Sequence, residues 1–132
     1  MATSSKSWSS QNCVIGSDTY PTLHTFSDTE EYTDDINLES GGHEGAQVEV
    51  HADFQTSPVD DLQVNVYPSL DGSNYDDLPV FSFLIKNDVD QPQRTFIIKD
   101  LAHFRVGVVQ TGSSDSTNEV GVWCKKWRWT SA

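Results

Sequence analysis

Ala46-Gln-Val-Glu-Val-His-Ala-Asp-Phe54 is the stretch that decides the fold. Ala46, Val48, Val50, Ala52 and Phe54 fall on one side of an extended chain, and Gln47, Glu49, His51 and Asp53 fall on the other. Strict period-two alternation marks a strand with one face in a core and one in water, the usual state of an antiparallel sheet. Leu62, Val64 and Val66 repeat the pattern, and further strands are expected over Val80–Ile85, Arg94–Ile98, Ala102–Gln110 and Glu119–Trp129. Asp71-Gly72-Ser73-Asn74, Asn87-Asp88 and Lys99-Asp100 separate them as turn signals. No long window carries the i, i+3, i+4, i+7 spacing of a helix. Short strands at regular spacing predict an all-β antiparallel sandwich, jelly-roll or immunoglobulin-like, of about seven to eight strands. Val80–Ile85, Phe96–Ile98 and Phe104–Val109 carry apolar residues on both sides, which predicts strands covered on both faces, at the centre of the sandwich or beneath an arm or a partner.

With 132 residues the chain is one domain by size, long enough to bury a core without a disulfide staple. Residues 1–12 are a Ser-rich polar arm whose one aromatic is Trp8, and residues 13–132 are the sandwich. The arm is expected to be ordered by contacts outside its own sandwich, with Trp8 as anchor. Thr22–Phe26 and Ile36–Leu38 are candidates for short strands. Cys13 and Cys124 are too few for a disulfide framework, and they pair only if the arm lies along the last strand. Neither a signal peptide nor an apolar stretch of bilayer-spanning length is expected.

The 20 acidic and 8 basic residues give a net charge of −12. Residues 1–85 hold 15 acidic groups and one basic group; residues 86–132 hold 5 acidic and 7 basic. Nucleic acid and anionic membrane are disfavoured as partners, because both need clustered cations. The polarity admits two readings. Acidic loops keep an abundant protein soluble, or unlike charges steer docking of copies and partners.

Motifs for chemistry are sparse. Tyr67-Pro-Ser-Leu-Asp-Gly-Ser-Asn-Tyr-Asp-Asp-Leu-Pro79 offers Asp71, Asn74, Asp76 and Asp77 to a calcium ion, but without the spacing of a calcium loop. A rigid hairpin connection is the simpler reading. Trp123, Trp127 and Trp129 share one face of the final strand, opposite Lys126 and Arg128. Such a row forms a core wall, stacks on sugar rings or bases, or anchors an interface. His24, His43, His51 and His103 show no ligand spacing, and there is no nucleophile elbow and no glycine-rich phosphate loop. The adjacent carboxylate pairs point to opposite strand faces and do not make the opposed acids of a glycosidase. No catalytic residue, metal or cofactor is expected.

Ser69-Leu-Asp-Gly-Ser-Asn-Tyr-Asp-Asp-Leu-Pro-Val-Phe-Ser-Phe83, then Thr95-Phe-Ile-Ile-Lys-Asp-Leu-Ala-His-Phe-Arg-Val-Gly-Val108 and the closing Lys126-Trp-Arg-Trp129 resemble small β-sandwich virion proteins of tailed bacteriophages. The resemblance spans residues 62–129. It implies a non-enzymatic structural role in the virion: a capsid decoration (cement) protein, or a tail, adaptor or fibre component. It also implies major capsid protein or other virion proteins as partners, and a homo-oligomeric arrangement. The candidate interface residues are Trp8, Lys125, Lys126 and Arg128. The competing expectation is a carbohydrate-binding module, which a flat exposed row among Trp123, Trp127, Trp129, Tyr67 and Tyr75 would favour.

Overall fold

The computed structural model describes residues 4–9, 12–15, 20–21, 23–25, 29–54, 60–112 and 118–131. Among these lie β1 (Ser4–Trp8), β2 (Asn12–Ile15), β3 (His24–Thr25), β4 (Glu31–Tyr32), β5 (Ile36–Asn37), β6 (Gly45–Asp53), β7 (Leu62–Ser69), β8 (Phe81–Ile85), β9 (Gln93–Lys99), β10 (His103–Gln110) and β11 (Glu119–Ser131). The described residues contain no helix, and every pairing between these strands is antiparallel.

Two sheets pack face to face. In the first, β11 is flanked by β6, and β6 by β9; on its other side β3, β2 and β1 lie end to end. In the second, β10 is flanked by β7, and β7 by β8; β4 and β5 lie end to end along its other side. If each broken edge counts as one strand position, the positions nest: first with last, second with next to last, and so inward to the β7–β8 pair. This is the jelly-roll order; the strands outnumber the seven or eight expected because the two outer edges are broken into five short segments.

The alternation read from Ala46–Phe54 sets the layers. Val48, Val50, Val64, Val66, Val106, Val108 and Val122 are fully buried between the sheets with Phe104, Leu62 and Ile85. Each such side chain contributes roughly 1.5–3 kcal/mol of burial. The Asp71 loop behaves as its sequence indicates. Asp71 Oδ1 accepts the amides of Ser73 and Asn74, each at 2.9 Å, and its other oxygen accepts Asn74 Nδ2 at 2.7 Å. Gly72 has a φ of 80°, and a Cβ there would stand 2.8 Å from His103 Nδ1 and 2.9 Å from Asp35 Oδ2. The loop therefore seats on the His103–Asp35 pair at a residue that only glycine fits.

Two expectations are corrected. Ser4–Trp8 of the expected arm is β1, paired residue by residue with Ser131–Trp127 of β11, so the domain's own sheet orders it. Val80–Ile85 and Phe96–Ile98 are not central. Among the described residues β8 and β9 each pair with a strand on one side only, and their apolar outward residues face solvent. Period-two patterns show which residues share a face, but not whether a strand has a second neighbour. Nesting inserts β11 between the N-terminal strands and β6, and β10 between β4, β5 and β7, so late basic residues are interleaved with early acidic ones.

Candidate functional site

Outer faces of the two sheets carry different chemistry. On the second sheet, Glu30 Oε2 accepts Tyr67 Oη at 2.8 Å and Asn65 Nδ2 at 3.0 Å, while its Oε1 accepts Tyr32 Oη at 3.1 Å. Asp35 accepts Tyr75 Oη at 2.6 Å and lies 2.7 Å from His103 Nδ1. The Arg105 guanidinium is clamped between Tyr32 and Tyr75, 3.9 Å and 4.4 Å from their ring centroids. Burial, then the bond to the Glu30 carboxylate, drives the Tyr67 hydroxyl well above the ordinary phenol range; Tyr75 moves the same way by burial and its bond to Asp35. These carboxylates are spent holding Glu30–Asp35 and the Asp71 loop to β7 and β10.

The outer face of the first sheet is less committed. Alternation along β11 turns Gly121, Trp123, Lys125, Trp127 and Trp129 outward, opposite the inward Val120, Val122 and Cys124. The tryptophans therefore lie on the outside of the sheet and do not wall the core. Two rings lie flat because a glycine sits beneath each. A Cβ on Gly121 would fall 2.2 Å from a Trp123 ring carbon, and one on Gly45 would fall 2.8 Å from Trp127 Nε1. Trp123 is only 1% exposed, being covered by Tyr20 and His51 in edge contact at 5.1 Å and 5.2 Å. Trp127 is buried against Trp8 and Trp129, and the Lys6 ammonium stands 4.5 Å from its centroid. Trp129 remains 53% exposed. Tyr67 is buried and Tyr75 is half-buried, so no flat exposed row of rings exists among these residues.

Between these aromatic rows lies a groove of about 440 Å³, lined by Trp8, Tyr20, Gln47, Glu49, Trp123 and Lys125. Glu49 Oε1 accepts Tyr20 Oη at 2.9 Å, lies 2.9 Å from His51 Nε2, and also accepts Gln93 Nε2. Among the described residues, Gln47 and Lys125 make no side-chain hydrogen bond or ion pair, and nothing binds Glu49 Oε2. A second concavity, of about 490 Å³, opens between the Pro68–Asp71 turn and Asp100–Ala102, with Asp71, Asp76 and Asp100 as its charged groups.

The four candidate interface residues divide. Trp8 and Lys125 meet at the groove. Lys126 and Arg128 point elsewhere: Lys126 Nζ donates to the Asn37 carbonyl at 3.1 Å and Arg128 to the Gly41 carbonyl at 3.2 Å, pinning the 37–41 turn. Sequence reasoning missed Tyr20, Gln47 and Glu49. The outward positions of β6 signalled the last two, whereas Tyr20 arrives from an irregular segment without pattern. Cys124 is a free, buried thiol, and the Cys13 side chain lies outside the described residues. Comparison with protein-family models, with curated proteins and with solved structures returned no match.

Proposed function

We propose that this chain is a non-enzymatic structural protein of a tailed-bacteriophage virion, a head decoration protein that docks on capsid subunits and stabilises the shell. The observation that carries this reading is the strip along β8. Leu78, Val80, Phe81 and Leu84 are 75%, 60%, 43% and 47% exposed, on and beside an edge strand that lacks a paired neighbour among the described residues. Natural sheet edges are usually blunted by charge, proline or a bulge. Phe81-Ser-Phe-Leu-Ile85 contains none of these. An apolar edge of this kind is suited to cover by another protein. Phe81 turns to the opposite side of β8 from Val80 and Leu84 and packs on Phe83 and Phe96, with centroids at 5.7 Å and 5.9 Å, so the edge is apolar on both sides of the strand. The resemblance of residues 62–129 to phage virion proteins covers this strip, and jelly rolls recur in capsid proteins, which adds an analogy of fold alone.

The partner in this reading is the major capsid protein or another virion protein, with many copies arrayed on the particle. The test is to purify particles by gradient from cells producing the protein, quantify it by mass spectrometry, and add wild-type or Leu84→Glu protein to particles lacking it. Wild type binds at a fixed copy number, and Leu84→Glu binds at least ~10-fold more weakly, a loss of about 1.4 kcal/mol or more. Absence from purified particles, or unchanged binding of Leu84→Glu, refutes the reading.

A further inference from the structure

We propose that the groove between Trp8 and Tyr20 is a saccharide-binding site, separate from the β8 strip, with Gln47, Lys125 and Glu49 as its hydroxyl-binding floor. The construction follows from the register. Trp8, Trp127 and Gly45 lie in one row across the sheet, Lys125 and Gln47 in the next, and Trp123 and Glu49 in the third. Same-face rows in an antiparallel sheet recur about every 7 Å. The first row is raised by Trp8, and the third by Tyr20 lying on Trp123. Among the described residues the middle row carries Lys125 and Gln47, with Ile97 of β9 beyond Gln47 and outside the groove, so a trough with slender polar side chains runs between the aromatic walls.

A sugar ring has an apolar C–H face and a rim of hydroxyls that both donate and accept. The trough offers the complement. Exposed Trp8 and Tyr20 rings can receive the C–H face. The Gln47 amide offers a donor and an acceptor in one plane, Glu49 Oε2 is a further acceptor, and Lys125 supplies donors. None of these three needs to surrender a partner among the described residues. The walls are already fixed. Trp8 is backed by Trp127 at 6.5 Å, and Tyr20 is tied to Glu49, so little freedom is lost on binding. The volume falls in the range of small-ligand sites.

Other ligand classes fit less well. One cation and one carboxylate give no net field for a phosphate or nucleic acid. A quaternary ammonium would seek the cage of Trp8, Trp127 and Trp129, and the chain's own Lys6 fills that cage.

The experiment is a printed array of bacterial and plant oligosaccharides, followed by calorimetry and tryptophan fluorescence with the best-bound glycan. Wild type binds, with a change in tryptophan emission. Gln47→Ala and Lys125→Ala keep the wild-type melting temperature, and Gln47→Ala lowers affinity at least ~10-fold. Trp129→Ala, beside the groove but not lining it, leaves affinity within about twofold. Silence across the array overturns the proposal, as does a Gln47→Ala variant that binds like wild type. Particle binding through β8 is unaffected by Gln47→Ala, so failure here is distinguishable from failure of the decoration reading.

Discussion

Gly121→Ala tests the arrangement of the outer face through the sign of its effect. In an unobstructed strand this change is neutral or stabilising by about 0.5–1 kcal/mol, because glycine gives up more chain freedom on folding. Here the new methyl would lie 2.2 Å and 2.6 Å from two Trp123 ring carbons and 3.0 Å from Leu23 Cδ2. The ring must rise by more than an ångström to restore ordinary contact. It cannot rise freely, because Tyr20 and His51 cover it and Glu49 holds both. Overpacking of this kind costs about 1–3 kcal/mol. For a domain of this size that is a fall in melting temperature of about 3–10 °C. Thermal unfolding followed by circular dichroism, with the near-ultraviolet tryptophan bands as a second signal, gives both the loss and the ring's displacement. A Gly121→Ala/Trp123→Leu double variant should regain part of the loss, with a coupling of about 1 kcal/mol or more. A single variant as stable as wild type would refute the flat placement of Trp123, and with it the shape of the groove.

Glu30→Gln leaves one carbonyl oxygen where a carboxylate served Tyr67, Asn65 and Tyr32. Urea unfolding should show a loss of about 1–3 kcal/mol, and the tyrosine titration should move toward its ordinary range. Burial, opposed by the nearby Lys126 ammonium, pushes the Cys124 thiol from 9.0 up to about 11. Because the folded value is the higher, its contribution is full below the unfolded value and declines as pH rises toward the folded one, by about 2–3 kcal/mol in all. Thiolate absorbance of a Cys13→Ser variant should have its midpoint near 11; a midpoint near 9.0 would show the thiol to be solvated. The Asn74 and Ser73 amides hold the Asp71 carboxyl well below its ordinary 3.8. With the folded value depressed, its contribution is present above 3.8 and fades as pH falls further, so Asp71→Asn should flatten the acid limb of melting temperature against pH.

The strands were legible because alternation is local. Ala46–Phe54 and Leu62–Val66 report their faces without knowledge of their neighbours, and Asp71-Gly72 declares its turn through its own side-chain and backbone needs. Pairing was not legible. Nothing in Phe81–Ile85 says that it borders β7 alone, and nothing in Ser4–Trp8 says that it borders β11. The groove was half legible. Trp8 and Lys125 were singled out, and the outward face of β6 contained Gln47 and Glu49, but their meeting depends on the β11–β6 register. Tyr20, Glu30 and Asp35 sit in irregular segments whose positions are set by long-range bonds, for which sequence carries no periodic signal.

The nested order also governs when the molecule can come into being. β11 joins β6 to the broken edge of β1, β2 and β3, yet it is the last of these strands to be synthesised. Only β7 and β8 can pair early across a short connection; nearly every other partnership waits for distant chain, which makes maturation slow. Until β11 leaves the ribosome, β6 offers a bare flank that the β11 of a neighbouring nascent chain can fill equally well. Exchange of this strand between copies is therefore the competing outcome. Yield of monomer on refolding should fall as protein concentration rises, most steeply in variants that delay the closure of β11 on its own β6.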